Sequence, residues 1–241
     1  MHILLVDDEI AIRETVSLNL KQSGYNVTEA VDGIDAKAQF DWSREYDLVI
    51  LDYMMPGCDG IEVLKYIRQQ SNVPVIMLTA KDQEEAKLMA FEFGADDYVT
   101  KPFSMKELEM RIKAVLRRFS IVSPKKNDAL NLLVNGPLVL NLKEKKCFWK
   151  AENALKKEVP LTVTEFRLLE KLLSNTGHII SKETLISRIW DDIDESSQNV
   201  LRVSLSRLRK KFVLAGVTTP FISNHSGYGY MIADLSEWEE D

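Results

Sequence analysis

Cysteine and long apolar runs are both scarce in this chain of 241 residues. Its two cysteines, Cys58 and Cys147, lie far apart and outside any CxxC spacing, which argues against a disulfide framework or a zinc site. No apolar stretch approaches the roughly 20 residues that a membrane span needs. The N-terminus also lacks the basic segment and longer apolar core of a signal peptide. We therefore expect a cytoplasmic protein with no membrane partner.

Basic residues are scarce in the first half and abundant in the second. Residues 1–122 carry 14 Lys and Arg against 21 Asp and Glu, whereas residues 123–233 carry 17 against 11. The last eight residues, DLSEWEED, are acidic again. An acidic half joined to a basic half predicts that only the second half binds a polyanion.

The first half alternates short apolar runs with helical periodicity, which predicts a parallel α/β sheet of five strands and five helices. A polar-mixed run at Tyr25–Ala30 is typical of an edge strand. Open sheets of this kind bind ligands at the carboxyl ends of their strands. Four of the runs end beside residues that can handle a phosphoryl group: Ile3–Val6 before Asp7 and Asp8, Leu48–Leu51 before Asp52, Val75–Leu78 before Thr79, and Tyr98–Val99 before Lys101.

Each of these residues has an ordinary structural explanation as well. Acidic residues cap helices, Thr79 can cap a strand end, and most lysines are solvated. However, three carboxylates within about 5 Å would repel by roughly 3 kcal/mol per pair at an effective dielectric near 20. Such a cluster favours a cation, and oxygen ligands favour Mg²⁺. The combination predicts a magnesium-dependent phosphoryl site with an aspartate acceptor.

The motifs VDDE, LDYMMPG, LTA and GADDYVTKPF resemble, in order and spacing, the receiver domain of two-component response regulators. The resemblance implies a flavodoxin-like (βα)5 fold, a doubly wound parallel sheet of order 2-1-3-4-5. It implies that Asp52 accepts phosphate from a sensor histidine kinase and that Thr79 and Lys101, before a cis Pro102, bind the phosphoryl oxygens. Tyr98 would turn inward when Thr79 moves. The implied Mg²⁺ ligands are Asp7, Asp8, Asp52 and the carbonyl of Met54.

Charges over residues 82–118 resemble those of one subfamily, in which helix 4, strand 5 and helix 5 form a symmetric dimer face. The alternative is a solvated charged surface, since exposed pairs contribute only about 0–1 kcal/mol each. The resemblance implies a homodimer on activation. The implied pairs are Lys87 with Glu107, Asp97 with Arg111, and Glu92 with Lys113, and Asp96 and Arg118 occupy the other charged positions.

The second half has the pattern of a winged helix-turn-helix, an α+β domain. A capping box at Thr162–Glu165 opens one helix, Ser181 opens another that ends at Trp190, and a third runs from about Gln198 to Phe212. Residues 222–232, with GYGY, read as a hairpin. In the third helix a buried leucine stripe predicts that the opposite side meets the major groove, although a solvated basic helix is the alternative. The predicted DNA-binding residues are Asn199, Arg202, Val203, Ser206, Arg207, Arg209, Lys210 and, in the wing, Tyr228.

The motifs TEFRLLEKLL, LISRIW, VSLSRLRKKF and GYGY resemble the output domain of the OmpR/PhoB subfamily. We divide the chain into a receiver domain (1–119), a linker (120–131), a winged-helix DNA-binding domain (132–235) and an acidic tail (236–241). This chain departs from the family pattern at Arg202, Ser226 and Asp191. The base preference of the family therefore does not transfer to this chain. Contact between the wing and the minor groove does not follow from the resemblance either.

The sequence therefore predicts a transcriptional regulator, not an enzyme, that a sensor histidine kinase phosphorylates and that binds promoter DNA, with RNA polymerase as a further partner. Two alternatives remain open. A haloacid-dehalogenase-like phosphatase would need an acid two residues after its nucleophile, where this chain has Met54. A regulator that works without phosphorylation would use the acidic pocket only to support dimerisation.

Overall fold

The computed structural model describes residues 1–40, 45–80, 84–120, 131–150, 157–189 and 195–237, and divides into two compact units, Met1–Phe119 and Ser120–Asp241. The segments between these ranges contain most of the predicted linker and Trp190 with Asp191. The side chain of Arg118 and the end of the acidic tail also lie outside the described part.

The first unit is a five-stranded parallel sheet with the strand order β2-β1-β3-β4-β5, as predicted. Strands and helices alternate along the described residues of this unit. They are β1 (His2–Val6), α1 (Ile10–Gln22), β2 (Asn26–Ala30), α2 (Gly33–Gln39), β3 (Leu48–Asp52), α3 (Gly60–Gln70), β4 (Val75–Ala80), α4 (Glu84–Phe93), β5 (Asp97–Lys101) and α5 (Met105–Ser120).

Alternate residues of the central strands bury into two separate cores, one on each face of the sheet. Leu4 and Leu51 pack on the α2 and α3 side, and Leu5 and Ile50 pack on the α1 side. Because both faces are covered, the segments Ile3–Val6, Leu48–Leu51 and Val75–Leu78 are apolar at every position, which explains the continuous runs in the sequence. The β2 strand lies at the sheet edge and is only partly buried, as its polar composition predicts.

In its described part, the second unit combines a four-stranded antiparallel sheet, three helices and a terminal hairpin. Its elements are β6 (Leu132–Asn135), β7 (Leu138–Asn141), β8 (Lys146–Trp149), β9 (Lys157–Val159), α6 (Val163–Leu173), α7 (Lys182–Ile189), α8 (Glu195–Leu214), β10 (Ile222–His225) and β11 (Gly229–Ile232). The α8 helix begins three residues earlier and ends two residues later than its apolar stripe predicts, because helix ends need no buried side chain.

The capping box of α6 is complete: Thr162 Oγ1 accepts from the Glu165 amide, and Glu165 accepts from the Thr162 amide. The β10–β11 hairpin is tied to the loop before α7 by reciprocal backbone hydrogen bonds between Ile180 and Tyr230. A Cβ on Gly229 would lie 1.9 Å from the Ile180 carbonyl oxygen, so only glycine permits this close approach. The helix-turn-helix and its wing therefore form one packed body.

Candidate phosphoryl-acceptor site and nucleic-acid interface

The carboxyl ends of β1, β3, β4 and β5 bring the predicted phosphoryl residues together. Carboxylate oxygens of Asp7, Asp8 and Asp52 all lie within 4.8 Å of one another. Asp7 and Asp52 are buried, whereas Asp8 is exposed. Three oxygen donors that converge in this way, one of them open to solvent, fit Mg²⁺, which keeps part of its water shell.

Lys101 neutralises part of this negative charge. Its Nζ lies 2.8 Å from Asp7 Oδ2 and 2.9 Å from Asp52 Oδ1. The peptide bond between Lys101 and Pro102 is cis, as the resemblance implies. Burial alone would lower the pKa of Lys101, but its hydrogen bonds to the two carboxylates raise that pKa, so the ammonium stays charged.

The environment of Asp52 shifts the pKa of its carboxyl group. Burial is the main cause that raises its pKa to about 6; Asp7 and Asp8 act in the same direction, and the hydrogen bond and charge of Lys101 oppose them. At neutral pH the group is mostly ionised, which is the form that attacks phosphorus. The site therefore presents a nucleophile that is only weakly solvated.

Thr79 supplies a hydroxyl with no partner among the described residues. Its side chain is 1% exposed, and Oγ1 makes no hydrogen bond. A buried hydroxyl without a partner is costly, and one at a strand end in this crevice is suited to donate to an incoming oxygen. Ala80, the next residue, is exposed and small, which leaves space at the mouth of the site.

Tyr98 connects the crevice to the neighbouring surface. Its ring makes an edge contact with Phe91, with 5.8 Å between ring centroids, and Lys87 Nζ lies 4.7 Å from the Tyr98 centroid. A lysine at this distance over an aromatic ring makes a cation–π contact. Rotation of Tyr98 would therefore change the position of Lys87, one of the residues predicted on the dimer face.

Two residues that support the site are not among those predicted from the sequence. The Arg13 guanidinium, almost fully buried, donates to the Asp7 carbonyl oxygen at 2.6 Å and so holds the turn after β1. Gly60 lies so close to Asp52 that a Cβ there would be 2.1 Å from the Asp52 carbonyl oxygen. The available signal for Arg13 was its position on the same helix face as the apolar Val16 and Leu20, whereas no sequence signal existed for Gly60.

The predicted dimer-face residues fall into two groups. Glu92 and Lys113 are exposed, and Lys113 pairs within its own helix with Glu109, 3.3 Å away. Asp97 is buried and lies 3.5 Å from Arg111 of the same chain.

Asp96, which the resemblance places on the dimer face, is buried inside the domain, with 1% of its side chain exposed. Its Oδ2 accepts from Arg68 at 3.0 Å and from the Val75 amide at 3.1 Å. Asp96 therefore ties α3 to β4 within the domain. Asp96 and Asp97 look equivalent in the sequence, and both are buried, but Asp96 pairs with Arg68 and Asp97 lies near Arg111.

The α8 helix presents an exposed strip that contains most of the predicted DNA-binding residues. Arg202, Ser206 and Lys210 are exposed, and Asn199 and Val203 are partly exposed. In the wing, Tyr228 is exposed, while His225 lies 3.0 Å from Ser223 through its ring nitrogen.

Two of the predicted DNA-binding arginines do not lie on this strip. Arg207 lies 3.0 Å from the buried carboxylate of Glu165, and its side chain is 13% exposed. Arg209 donates through Nε to the Ile222 carbonyl oxygen at 3.1 Å, against the hairpin. The helical wheel places Arg207, but not Arg209, on the side opposite the leucine stripe, and in the structure neighbouring elements cover both.

None of the helices among the described residues is long and apolar enough to cross a membrane.

Comparison with known proteins agrees with this fold and domain content. Residues 3–113 match the family "Response regulator receiver domain", and residues 156–232 match "Transcriptional regulatory protein, C terminal". The chain is 38% identical to Regulatory protein VanR of Enterococcus faecium over 231 residues, covering 95% of this chain and 97% of that protein. It is 37% identical over 237 residues to the alkaline phosphatase synthesis transcriptional regulatory protein PhoP of Bacillus subtilis, covering 96% of each.

A solved structure, the RitR mutant C128D, has a TM-score of 0.73 at 22% identity over 97% of this chain and 99% of that one, which shows the shared fold. A receiver domain followed by a winged-helix DNA-binding domain defines a two-component transcriptional regulator. The chain belongs to the OmpR/PhoB family of response regulators.

The charge network around Glu165 gives a pH prediction for the second unit. Burial by itself would raise the Glu165 pKa, but Arg207 and Lys211 together with the Thr162 amide hold that pKa below its usual value. A lowered pKa in the folded state contributes stability above the unfolded value of about 4.3, and this contribution disappears as pH falls through the folded pKa.

We expect Glu165→Gln to lower the free energy of unfolding of this unit by about 3–5 kcal/mol at pH 7, since it breaks a buried charge network. The difference from wild type should shrink as pH falls below about 4. Hydrogen exchange of the α6 and α8 amides across this pH range measures it. A difference that stays constant with pH would contradict the ion-pair explanation.

Proposed function

We propose that Asp52 is the phosphoryl acceptor of this regulator and that its phosphorylation drives dimerisation and promoter binding. The observation that carries the proposal is the convergence of Asp52 with Lys101 and the unpartnered hydroxyl of Thr79 at one sheet edge. A binding pocket for an uncharged ligand would need none of these three groups. The proposed donor is a phosphohistidine of a sensor histidine kinase.

In this transfer an Asp52 carboxylate oxygen attacks the phosphorus, the bond from phosphorus to the donor nitrogen breaks, and an acyl phosphate forms. Lys101, already 2.9 Å from Asp52 Oδ1, is placed to pair with the phosphoryl oxygens. Thr79 is placed to donate to one of them. Mg²⁺, when bound by Asp7, Asp8, Asp52 and the Met54 carbonyl, supplies neutralisation of the phosphoryl charge.

The proposed response passes from Thr79 through Tyr98 to Lys87 and the surface formed by α4, β5 and α5. We define the dimer face by the residues predicted for it other than the buried Asp96 and Asp97: Lys87, Glu92, Glu107, Arg111, Lys113 and Arg118. In a two-fold interface each ion pair between the two copies occurs twice. Ion pairs of small free energy can therefore still determine the register of the dimer and the choice of partner. The Lys113–Glu109 pair within one chain would be exchanged for a pair with Glu92 of a second copy.

We expect a small phosphodonor with Mg²⁺ to convert monomers into dimers in sedimentation velocity. Lys113→Glu should weaken the dimer roughly tenfold, because two exposed pairs of about 0–1 kcal/mol each become like-charge contacts. The double variant Glu92→Lys with Lys113→Glu should restore the dimer, since the swap recreates both pairs. A double variant as weak as the single one would rule out this pair.

For the DNA-binding unit we propose that α8 enters the major groove with Asn199, Arg202, Val203, Ser206 and Lys210 toward the base edges and phosphates, while Tyr228 of the wing contacts the backbone. Arginine and asparagine can fork onto guanine and adenine, and valine can touch a thymine methyl. RNA polymerase is the proposed partner at the promoter.

A regulator that dimerises without phosphorylation is the second candidate, and the exposed charges of Glu92 and Lys113 permit it. The sedimentation experiment separates the two, since this candidate predicts dimers before the phosphodonor is added.

A further inference from the structure

Three basic residues in the C-terminal half of α8 are bound to the protein itself. Lys211 Nζ lies 2.6 Å from Glu165 Oε2 and 2.7 Å from the Pro160 carbonyl oxygen. Arg207 lies 3.0 Å from the other oxygen of Glu165. Arg209 donates to the Ile222 carbonyl oxygen of the hairpin. These side chains are therefore engaged before any DNA arrives.

Glu165 is a rigid anchor for the first two. Its side chain is 0% exposed, and its Oε2 also accepts from the Thr162 amide at 2.9 Å in the α6 capping box. The carboxylate is therefore fixed by the start of α6 and cannot follow α8 if that helix turns. Arg207 and Lys211, four residues apart on α8, each contact one of its two oxygens.

Arg209 contacts the hairpin on the opposite side of the helix. At about 100° per residue, Arg209 points roughly 180° from the midpoint of Arg207 and Lys211. Its guanidinium also lies 5.9 Å from the centroid of the Tyr230 ring. A turn of α8 about its axis would break contacts on both sides at once. Between the two sides lies the exposed strip that contains Arg202, Ser206 and Lys210.

We propose that Glu165 is a positioning residue for DNA recognition, which fixes the rotation of α8 through Arg207 and Lys211. The inference rests on the proposed entry of α8 into the major groove. It assigns Arg207, Arg209 and Lys211 to a set of side chains that hold α8 in its orientation, here called frame residues. Contacts with the bases are left to the exposed strip. A basic residue in the frame sets the geometry of other contacts and neutralises no phosphate.

Salt dependence separates a frame residue from a DNA contact. Loss of one phosphate contact lowers the slope of log K against log salt by about 0.9. Loss of a frame residue leaves the slope unchanged and instead reduces the preference for the correct sequence, because direct readout needs accurate side-chain placement.

The test measures fluorescence anisotropy of the full-length phosphorylated protein over a series of NaCl concentrations. Its probes are a duplex that the wild-type protein selects from random DNA and a scrambled duplex of the same composition. Arg207→Gln should keep the wild-type salt slope and lose on the order of tenfold in preference for the selected duplex. Arg207→Lys keeps the ion pair and should retain most of that preference.

Glu165→Gln should behave as Arg207→Gln does, and the double variant should lose little more than either single one, because both remove the same contact. The matched control is Lys210→Gln on the exposed strip, which should reduce the slope by about 0.9. Circular dichroism at the assay temperature confirms folding; if Glu165→Gln is unfolded there, Arg207→Gln and Arg207→Lys decide the question.

A slope lowered by about 0.9 in Arg207→Gln would make Arg207 a DNA contact and overturn the inference. Unchanged sequence preference in folded Arg207→Gln would also overturn it. If Lys210→Gln and Arg202→Gln both bind as wild type, the proposed use of α8 itself fails, and this outcome is distinct from the other two.

Discussion

Asp52→Asn should reduce phosphorylation of the chain to background. The asparagine side chain has nearly the same shape, but its amide is not a nucleophile toward phosphorus and forms no acyl phosphate. Lys101 Nζ lies 2.8 Å from Asp7 and 2.9 Å from Asp52, so the variant also tests which of the two buried carboxylates at the lysine is the acceptor. Intact-protein mass spectrometry after incubation with a small phosphodonor and Mg²⁺ measures the gain of one phosphoryl group.

The matched control for this variant is Asp59→Asn in the loop that follows β3. Asp59 is exposed and caps α3 by accepting from the Glu62 amide at 2.8 Å. Asparagine caps helices as well as aspartate does, so this variant should remain fully labelled. Stoichiometric labelling that persists in Asp52→Asn would contradict the assignment of Asp52 as the phosphoryl acceptor. Loss of labelling in both variants would point to a folding defect of the loop.

Gly60→Ala should damage the same site without changing any of its chemical groups. The added Cβ would lie 2.1 Å from the Asp52 carbonyl oxygen and 3.0 Å from Tyr53 Cα, both backbone atoms that cannot move aside independently. Overpacking of this kind costs about 1–3 kcal/mol of the free energy of unfolding. Displacement of Asp52 by a fraction of an ångström to about 1 Å should slow labelling on the order of 10²-fold.

Gly57→Ala serves as the control, because Gly57 belongs to the same loop and has a positive φ of 81°, yet a Cβ there meets nothing within 4 Å. Alanine in that conformation costs roughly 1–2 kcal/mol in backbone strain. We therefore expect Gly57→Ala to lower stability in urea unfolding and to leave the labelling rate close to wild type. If both variants slow labelling equally, general destabilisation of the loop explains the effect, and contact with Asp52 does not.

The receiver architecture could be predicted because each element carries its own local signal. Continuous apolar runs mark strands covered on both faces, and the polar composition of Asn26–Ala30 marks the sheet edge. Parallel strands place their carboxyl ends on one side, so the convergence of Asp7, Asp52 and Lys101 also followed from strand order. The Mg²⁺ requirement, the dimer face and the DNA contacts stay predictions.

Other features depend on contacts between residues far apart in the chain. Asp96 and Asp97 are adjacent acids, and only the packing of α3 shows that Asp96 is bound by Arg68 inside the domain. Arg207 falls beside the basic strip on a helical wheel, but Glu165, 42 positions earlier, holds it.

The sequence by itself determined the order of strands and helices, the division into an acidic receiver and a basic DNA-binding half, and the identity of the residues that meet at the sheet edge. Local periodicity, capping residues and charge carry that information. Only the tertiary structure decided which of the charged residues are free to meet a partner. Burial and ion pairing depend on what packs against a side chain. The local sequence around a charged residue does not reveal which distant residue pairs with it.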